Sequence, residues 1–192
     1  MEKTMTKDTQ AFIKKYRFTV EDYHLMGEAG VIPPDCRVEL INGEIIEMSP
    51  IKSLHSGTVN LLNRLLTSIL GDNAIVSVQN PVQLNDYSEP EPDLSVLKFR
   101  SDHYIRSHPG PQEVLLLIEV ANTSLDTDQQ IKLPLYAEAE IPEVWIVNLS
   151  DRQIEVYSKP TKEGYSQINI FRNGDTIKTA LIENLAVDDI LI

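Results

Sequence analysis

Cysteine is almost absent from this chain. The lone Cys36 excludes an internal disulfide and leaves no CxxC motif or Cys/His cluster for zinc, which fits a reducing compartment. Long apolar runs are missing too. No stretch approaches the length that spans a bilayer, and the start, "MEKTMTKDTQ", is polar and unlike a signal peptide. The expectation is a cytoplasmic protein with no membrane partner. Positive charge is also scarce: 17 Lys plus Arg against 29 Asp plus Glu give a net charge of −12, and such a surface repels phosphate on average. A nucleic-acid partner would need a local basic patch. Repeats, low-complexity segments and interdomain linkers are absent. So are helix-turn-helix, zinc-finger and RNA-binding signatures, which leaves sequence specificity unassigned.

What is present is enough for one core, since 192 residues with 42% hydrophobic content suit a single globular domain. Residues 1–15 carry no apolar period and read as a loose tail; 16–192 read as the domain. Thr19 stands three residues before Asp22 in "RFTVEDYHLMGEAG", a variant capping box that opens a short helix. In "RVELINGEIIEM", Asn42-Gly43 separates two β-prone runs and predicts a hairpin of strands 37–41 and 44–48. "SLHSGTVNLLNRLLTSILGD" places Leu54, Val59, Leu62, Leu65, Leu66 and Ile69 at helical spacing, with Ser53 as cap and Gly71 as stop.

Three β-like runs follow: 74–84 with a break at Pro81, 92–99, and 114–120. The last, "VLLLIEV", is the continuous apolar run of a strand buried on both faces. Residues 126–139 predict a helix in which Pro134 must lie in the first turn or cause a kink. "PEVWIVNL", "QIEVYS" and "YSQINIFR" are further strands, and "IENLAVDDILI" closes the chain as a short strand or helix. This order predicts an α/β or α+β fold, a mixed sheet flanked by helices.

Glu119 is the most informative residue. A carboxylate inside "VLLLIEV" is buried, and an unpaired buried charge costs at least several kcal/mol. A cation is the economical compensation, although a salt bridge to a helix residue would also satisfy it. Asp93, at the mouth of the strand in "EPEPDLSVLK", could face Glu119 if their strands are adjacent. Two such acids can ligate magnesium, which takes oxygen ligands and keeps several waters, and the pair then suits metal-assisted phosphodiester hydrolysis. Lys132 could supply positive charge, whereas a lysine on a helix is ordinarily solvated and an aspartate beside prolines is ordinarily a turn residue.

Pro92-Asp93, then Glu119 at the end of an apolar strand, then Lys132 in the following helix resembles the PD-(D/E)XK nuclease pattern. More closely, "FTVEDY", "VELINGEIIEMSP" with His55, "EPDLSVL", "LIEVANTSLDTD" and "KLPLYAEAEIPEVWIVNL" occur in the order of the Uma family of restriction-endonuclease-like proteins. The resemblance covers roughly residues 17–160 and continues weakly to the end. It implies a restriction-endonuclease-like central mixed sheet, a magnesium- or manganese-dependent endonuclease acting on DNA, and metal ligation by Asp93 and Glu119.

Two residues after Glu119, where the usual motif has lysine, this chain has Ala121; by position in "IKLPLYA" the role passes to Lys132. Glu39 matches an acidic position near the site, as metal ligand directly or through water, or as an exposed hairpin charge. His55 matches the histidine after Ser-Pro, where it could accept a proton, hold phosphate, or simply start the helix. Asp126 and Asp128 fall where the family has an acid followed by arginine, here replaced by Gln129. Gln79 could orient a water or satisfy backbone groups. For nucleic acid, "LKFRSDHYIRSHPG" gathers Lys98, Arg100 and Arg106 with His103, His108 and Tyr104. Double-strand cleavage by one small site suggests a homodimer. Two alternatives stay open: a non-catalytic binding or regulatory module of the same fold, and a metal-dependent hydrolase of a small phosphorylated molecule.

Overall fold

A computed structural model describes residues 14–192, so all but the last two residues of the expected N-terminal tail lie outside the described residues. The sheet is built around "VLLLIEVA", which forms β5 (Val114–Ala121) with seven of its eight residues buried. β5 sits third in a six-stranded mixed sheet of order β3-β4-β5-β6-β7-β8. The other members are β3 (Ala74–Val78), β4 (Leu94–Lys98), β6 (Glu143–Asn148), β7 (Gln153–Thr161) and β8 (Gly164–Arg172). Only the β5–β6 pair is parallel, and its crossover carries the helical segment 125–138. Two-stranded sheets formed by β1 (Val38–Ile41) with β2 (Glu44–Glu47), and by β9 (Thr176–Ile177) with β10 (Leu185–Ala186), complete the strands. The α+β architecture expected from the sequence is the one found.

Each face of the sheet has its own core, as strand alternation requires. On one face, Leu116, Ile118, Val120, Trp145 and Val147 pack with the C-terminal segment and with α2 (Ser53–Leu70), which contributes Val59, Leu62, Leu66 and Leu70. On the other, Leu117, Ala121, Val144 and Ile146 pack against Ile41 of the hairpin and Leu135 and Tyr136 of the crossover helix. Glu119 alternates with Ile118 and Val120 and therefore projects to this second face.

Several local expectations change. Lys52, not Ser53, is the N-cap of α2, and no side chain caps that end. The run from Ala74 leaves the sheet at Val78, because Gln79 adopts φ +49° and turns the chain away before Pro81. The helix of 126–139 is composite: α3 (Leu125–Thr127), a π-helical turn (Asp128–Lys132), then α4 (Leu133–Glu138) with Pro134 in its first turn. Pro134 has no N–H to donate, and its ring crowds the carbonyl four residues back. A wider π turn accommodates this, and the Leu133 N–H bonds the Asp128 carbonyl, five residues back. The capping box of α1 (Val20–Glu28) forms as the sequence predicts, with Thr19 Oγ1 accepting from the Asp22 N–H and Asp22 Oδ2 accepting from the Thr19 N–H.

The β1–β2 hairpin turns through Asn42 at φ +52° and Gly43 at φ +77°. Gly43 is fixed by more than its turn. A methyl group there would meet Arg17 Cβ at 2.6 Å, while Gly174, at φ +88°, has open space around it. Gly174→Ala should therefore cost only the backbone term, roughly 1–2 kcal/mol, and Gly43→Ala should cost clearly more. Denaturant unfolding of both variants checks this, and equal losses would mean that the Arg17 contact contributes nothing.

Candidate active site

The ends of β4 and β5 carry the site. Leu94 pairs with Ile118 in the antiparallel register, so Asp93, one residue earlier, stands opposite Glu119. The Val120 N–H donates to Asp93 Oδ2 at 2.9 Å, His55 Nε2 lies 2.9 Å from the same oxygen, and the Gln79 amide donates to Oδ1 at 3.2 Å. Burial alone would raise the Asp93 carboxyl. His55, the Val120 N–H and Gln79 together outweigh it and hold the group below its usual range. His55 Nδ1 is buried without a partner.

Glu119 is 3% exposed. The cation that its burial demands is the Lys132 ammonium, 3.3 Å from Glu119 Oε1 and 3.1 Å from Glu39 Oε2. Lys132 is itself only 5% exposed, so it is not the solvated helix lysine that its sequence position suggests. The Tyr136 hydroxyl adds a 2.6 Å hydrogen bond to Glu119 Oε1, and the Glu91 N–H donates to Glu39 Oε2. Asp128, also buried, accepts from Ser124 Oγ at 2.7 Å. Burial pushes the Glu119 carboxyl well up, against the pull of Lys132, and the Asp128 and Asp93 charges push it further. Lys132 is raised instead, because Glu119, Glu39 and Asp128 outweigh its desolvation. One ammonium thus serves several acids, and the cavity keeps an excess of negative charge.

Sequence reasoning missed Tyr136 and Glu91 and gave Asp128 no role in the cavity. Asp128, Lys132 and Tyr136 recur every four residues along the crossover helix, a spacing that puts them on one face and could have identified them. Gln79 contacts Asp93 directly. Gln129 spends its amide on Glu155, 2.8 Å away, on the same sheet face.

The cavity bounded by these groups holds about 190 Å³, and Arg37, Lys52, Asn122 and Thr127 also line it. That is room for several waters. Among the described residues, none donates to Glu119 Oε2 and only Gln79 donates to Asp93 Oδ1. An all-oxygen donor set of two carboxylates with space for water matches magnesium or manganese, so Asp93 and Glu119 fit the ion that the fold implies.

The structure brings Asp93, Glu119, Lys132, Glu39 and His55 together and leaves Lys98, Arg100 and Arg106 apart. Lys98 ends β4, five residues and roughly 17 Å along the strand from Asp93. Arg100 is paired with Asp102, stacked 3.8 Å over the Tyr104 ring and bonded to the Ser107 carbonyl. Lys98 and Arg106 remain exposed. No helix among the described residues is long and apolar enough to cross a membrane.

A family model, Uma2, described as "Putative restriction endonuclease", matches residues 20–188. No curated protein matches the chain. Among solved structures, a "putative nuclease belonging to DUF820" from Anabaena variabilis ATCC 29413 superposes with a TM-score of 0.66 at 15% identity, covering 86% of this chain and 96% of that one. At that identity the likeness speaks for the fold.

The two opposed carboxyl shifts have opposite consequences for stability. Glu119 titrates above its ordinary range in the folded chain, so its favourable contribution is complete below that range and is lost as pH rises through the folded value. Asp93 titrates below its range, so its contribution is complete above that range and is lost as pH falls through the folded value. Without divalent metal, Glu119→Gln should raise Tm by roughly 3 °C or more at pH 8 and by much less at pH 5, at about 2–4 °C per kcal/mol for a chain of this size. Asp93→Asn should lower Tm at pH 8. Thermal melts across pH decide it, and a Glu119→Gln gain that does not grow with pH would contradict the assignment.

Proposed function

The chain belongs to the Uma2 family, and from that premise and the cavity we propose that it is a magnesium-dependent endonuclease hydrolysing DNA phosphodiester bonds. The observation that carries the proposal is the Lys132 ammonium buried between Glu39 and Glu119 in the lining of a cavity that Asp93 also lines and that has room for several waters. Salt bridges made only for stability are weak at this depth, because desolvation offsets most of the attraction. A site built to gather negative charge around one cation is better explained by chemistry.

Asp93 and Glu119 would hold the divalent ion, which when bound polarises a phosphoryl oxygen and lowers the pKa of water. His55, Gln79 and the Val120 N–H fix the Asp93 carboxylate so that its free lone pair faces the cavity. Glu39 and Asp128 keep Lys132 charged. Its ammonium then meets the non-bridging oxygens as negative charge grows on them in attack, the stage at which a fixed cation lowers the barrier most. Arg37 and Lys52 line the cavity and offer the approaching phosphate its first positive partners. Lys98, at the far end of β4, and Arg106, in the loop that follows it, would serve a duplex that extends beyond the cavity.

The narrow cavity and the net charge of −12 also suit a small phosphorylated substrate, and competition between plasmid and nucleotide separates the two readings. Because Lys132→Ala would leave two buried carboxylates unpaired, the polar Lys132→Gln is the better probe. Wild type, Lys132→Gln and Asp93→Asn, each shown folded by its melt, are compared for plasmid nicking with magnesium and with manganese. Each variant should lose activity by roughly a hundredfold or more. Activity that persists in both variants would remove these residues from the reaction, and a folded wild type inert with both metals would support the non-catalytic module.

A further inference from the structure

A second group of ligand-bearing side chains lies outside the cavity. His24 on α1, Glu89 in the segment before β4 and His108 in the loop between β4 and β5 each offer one ligand atom, and these atoms lie within 4.8 Å of one another. His24 Nε2 is 2.7 Å from Glu89 Oε1. The Glu89 side chain is 1% exposed, and its other oxygen, Oε2, is buried with no hydrogen-bond partner. A buried carboxylate oxygen without a partner costs about 1–3 kcal/mol, more if charged, and the His24 ring beside it is 45% exposed. Something that takes carboxylate oxygen and imidazole nitrogen together would remove that cost.

We propose that His24, Glu89 and His108 form a second divalent metal site, distinct from the nuclease cavity, that takes a borderline transition ion, zinc foremost. Two imidazoles and one carboxylate are a donor set for zinc and its first-row neighbours, whereas magnesium prefers oxygen alone. On bonds of about 2.1 Å, ligand atoms of one ion stand roughly 3.0–3.4 Å apart, so the His24–Glu89 contact opens by about half an ångström. The exposed His24 ring can make that movement.

The backbone around the other two ligands is fixed. The Glu89 N–H donates to the Leu40 carbonyl at 2.8 Å. Beside His108, the Ser107 carbonyl accepts from Arg100 at 3.2 Å and the Pro109 carbonyl accepts from the Gln83 N–H at 3.0 Å. The His108 ring stands 6.1 Å from the His24 ring, centroid to centroid, tilted by 66°. On α1, Glu21 and Glu28 share the His24 face at helical spacing and add negative potential. Three elements distant in sequence meet at this point, so an ion there would clamp α1 and the 99–110 loop onto the strip that carries Glu91 and Asp93. The proposal is independent of the nuclease reading.

The full chain, stripped with EDTA and held in excess magnesium, is titrated with cobalt(II) by visible absorption and with zinc by calorimetry. Wild type and Asp93→Asn should each bind one ion and show imidazole-type cobalt bands. His108→Ala and His24→Ala, both at exposed positions, should weaken binding by about a hundredfold or more, at least the scale on which even the partners of metal ligands act. Zinc should raise the Tm of wild type and not of His108→Ala. Equal affinity in wild type and both histidine variants, or loss of the ion in Asp93→Asn instead, overturns the site and leaves His24 and Glu89 as a hydrogen-bonded pair only.

Discussion

The buried Lys132 ammonium is the contact on which the cavity depends. Glu119 lies near the end of the sheet's most apolar strand and Glu39 at the base of the hairpin, both buried, and an unpaired charge at that depth is costly. Lys132 reaches both. The hairpin, β5 and the crossover helix are thus tied at one point by charge as well as by apolar contact. Burial is the first cause of the upward push on the Glu119 carboxyl, and the charges of Asp128 and Asp93, which one ammonium cannot balance, add to it. A divalent cation bound as proposed would offset part of that negative charge.

Delivery of Lys132 depends on a local defect. An uninterrupted α-helix through 125–138 would collide with the constraint at Pro134; the π turn absorbs it and leaves Asp128, Lys132 and Tyr136 inward on one face. On the proposed reading, the lysine that the nuclease pattern usually carries on the strand would come from the helix, while a small Ala121 occupies the strand position, packed in the core.

Elements governed by local rules were legible in the sequence. The Asn42-Gly43 hairpin, the Thr19–Asp22 capping box and the "VLLLIEV" strand follow from turn chemistry, capping and burial, and all three form where the residues say. The paired acids were legible because Glu119 violates its surroundings. Less legible was whatever depends on pairing across distance. Pro134 signals a distorted helix start and not a π turn. Gln79 leaves the sheet through a positive φ that its side chain does not advertise, and the contact of Gln79 with Asp93 exists only once β3 and β4 pair. The loop at 99–110 gathers cations in sequence, yet Arg100 is consumed by Asp102, Tyr104 and Ser107 once folded.

The segment "EPEPD" shows how one short strip can serve two places. Pro90 and Pro92 fix their own φ and push the residues before them into extended conformations, so the strip cannot coil or slip. Its polar groups are tied on both sides: the Glu89 N–H to Leu40, the Glu91 N–H to Glu39, and the Pro90 and Asp93 carbonyls to the N–H groups of Val82 and Gln79. Held this way, Asp93 faces Glu119 at one end while Glu89 turns to His24 at the other, and Glu91 lines the cavity between them. A flexible loop with the same acids would let them spread apart and solvate separately. The prolines instead keep three carboxylates within five residues, and the Glu89 and Glu39 charges add to the burial that raises the Glu91 carboxyl.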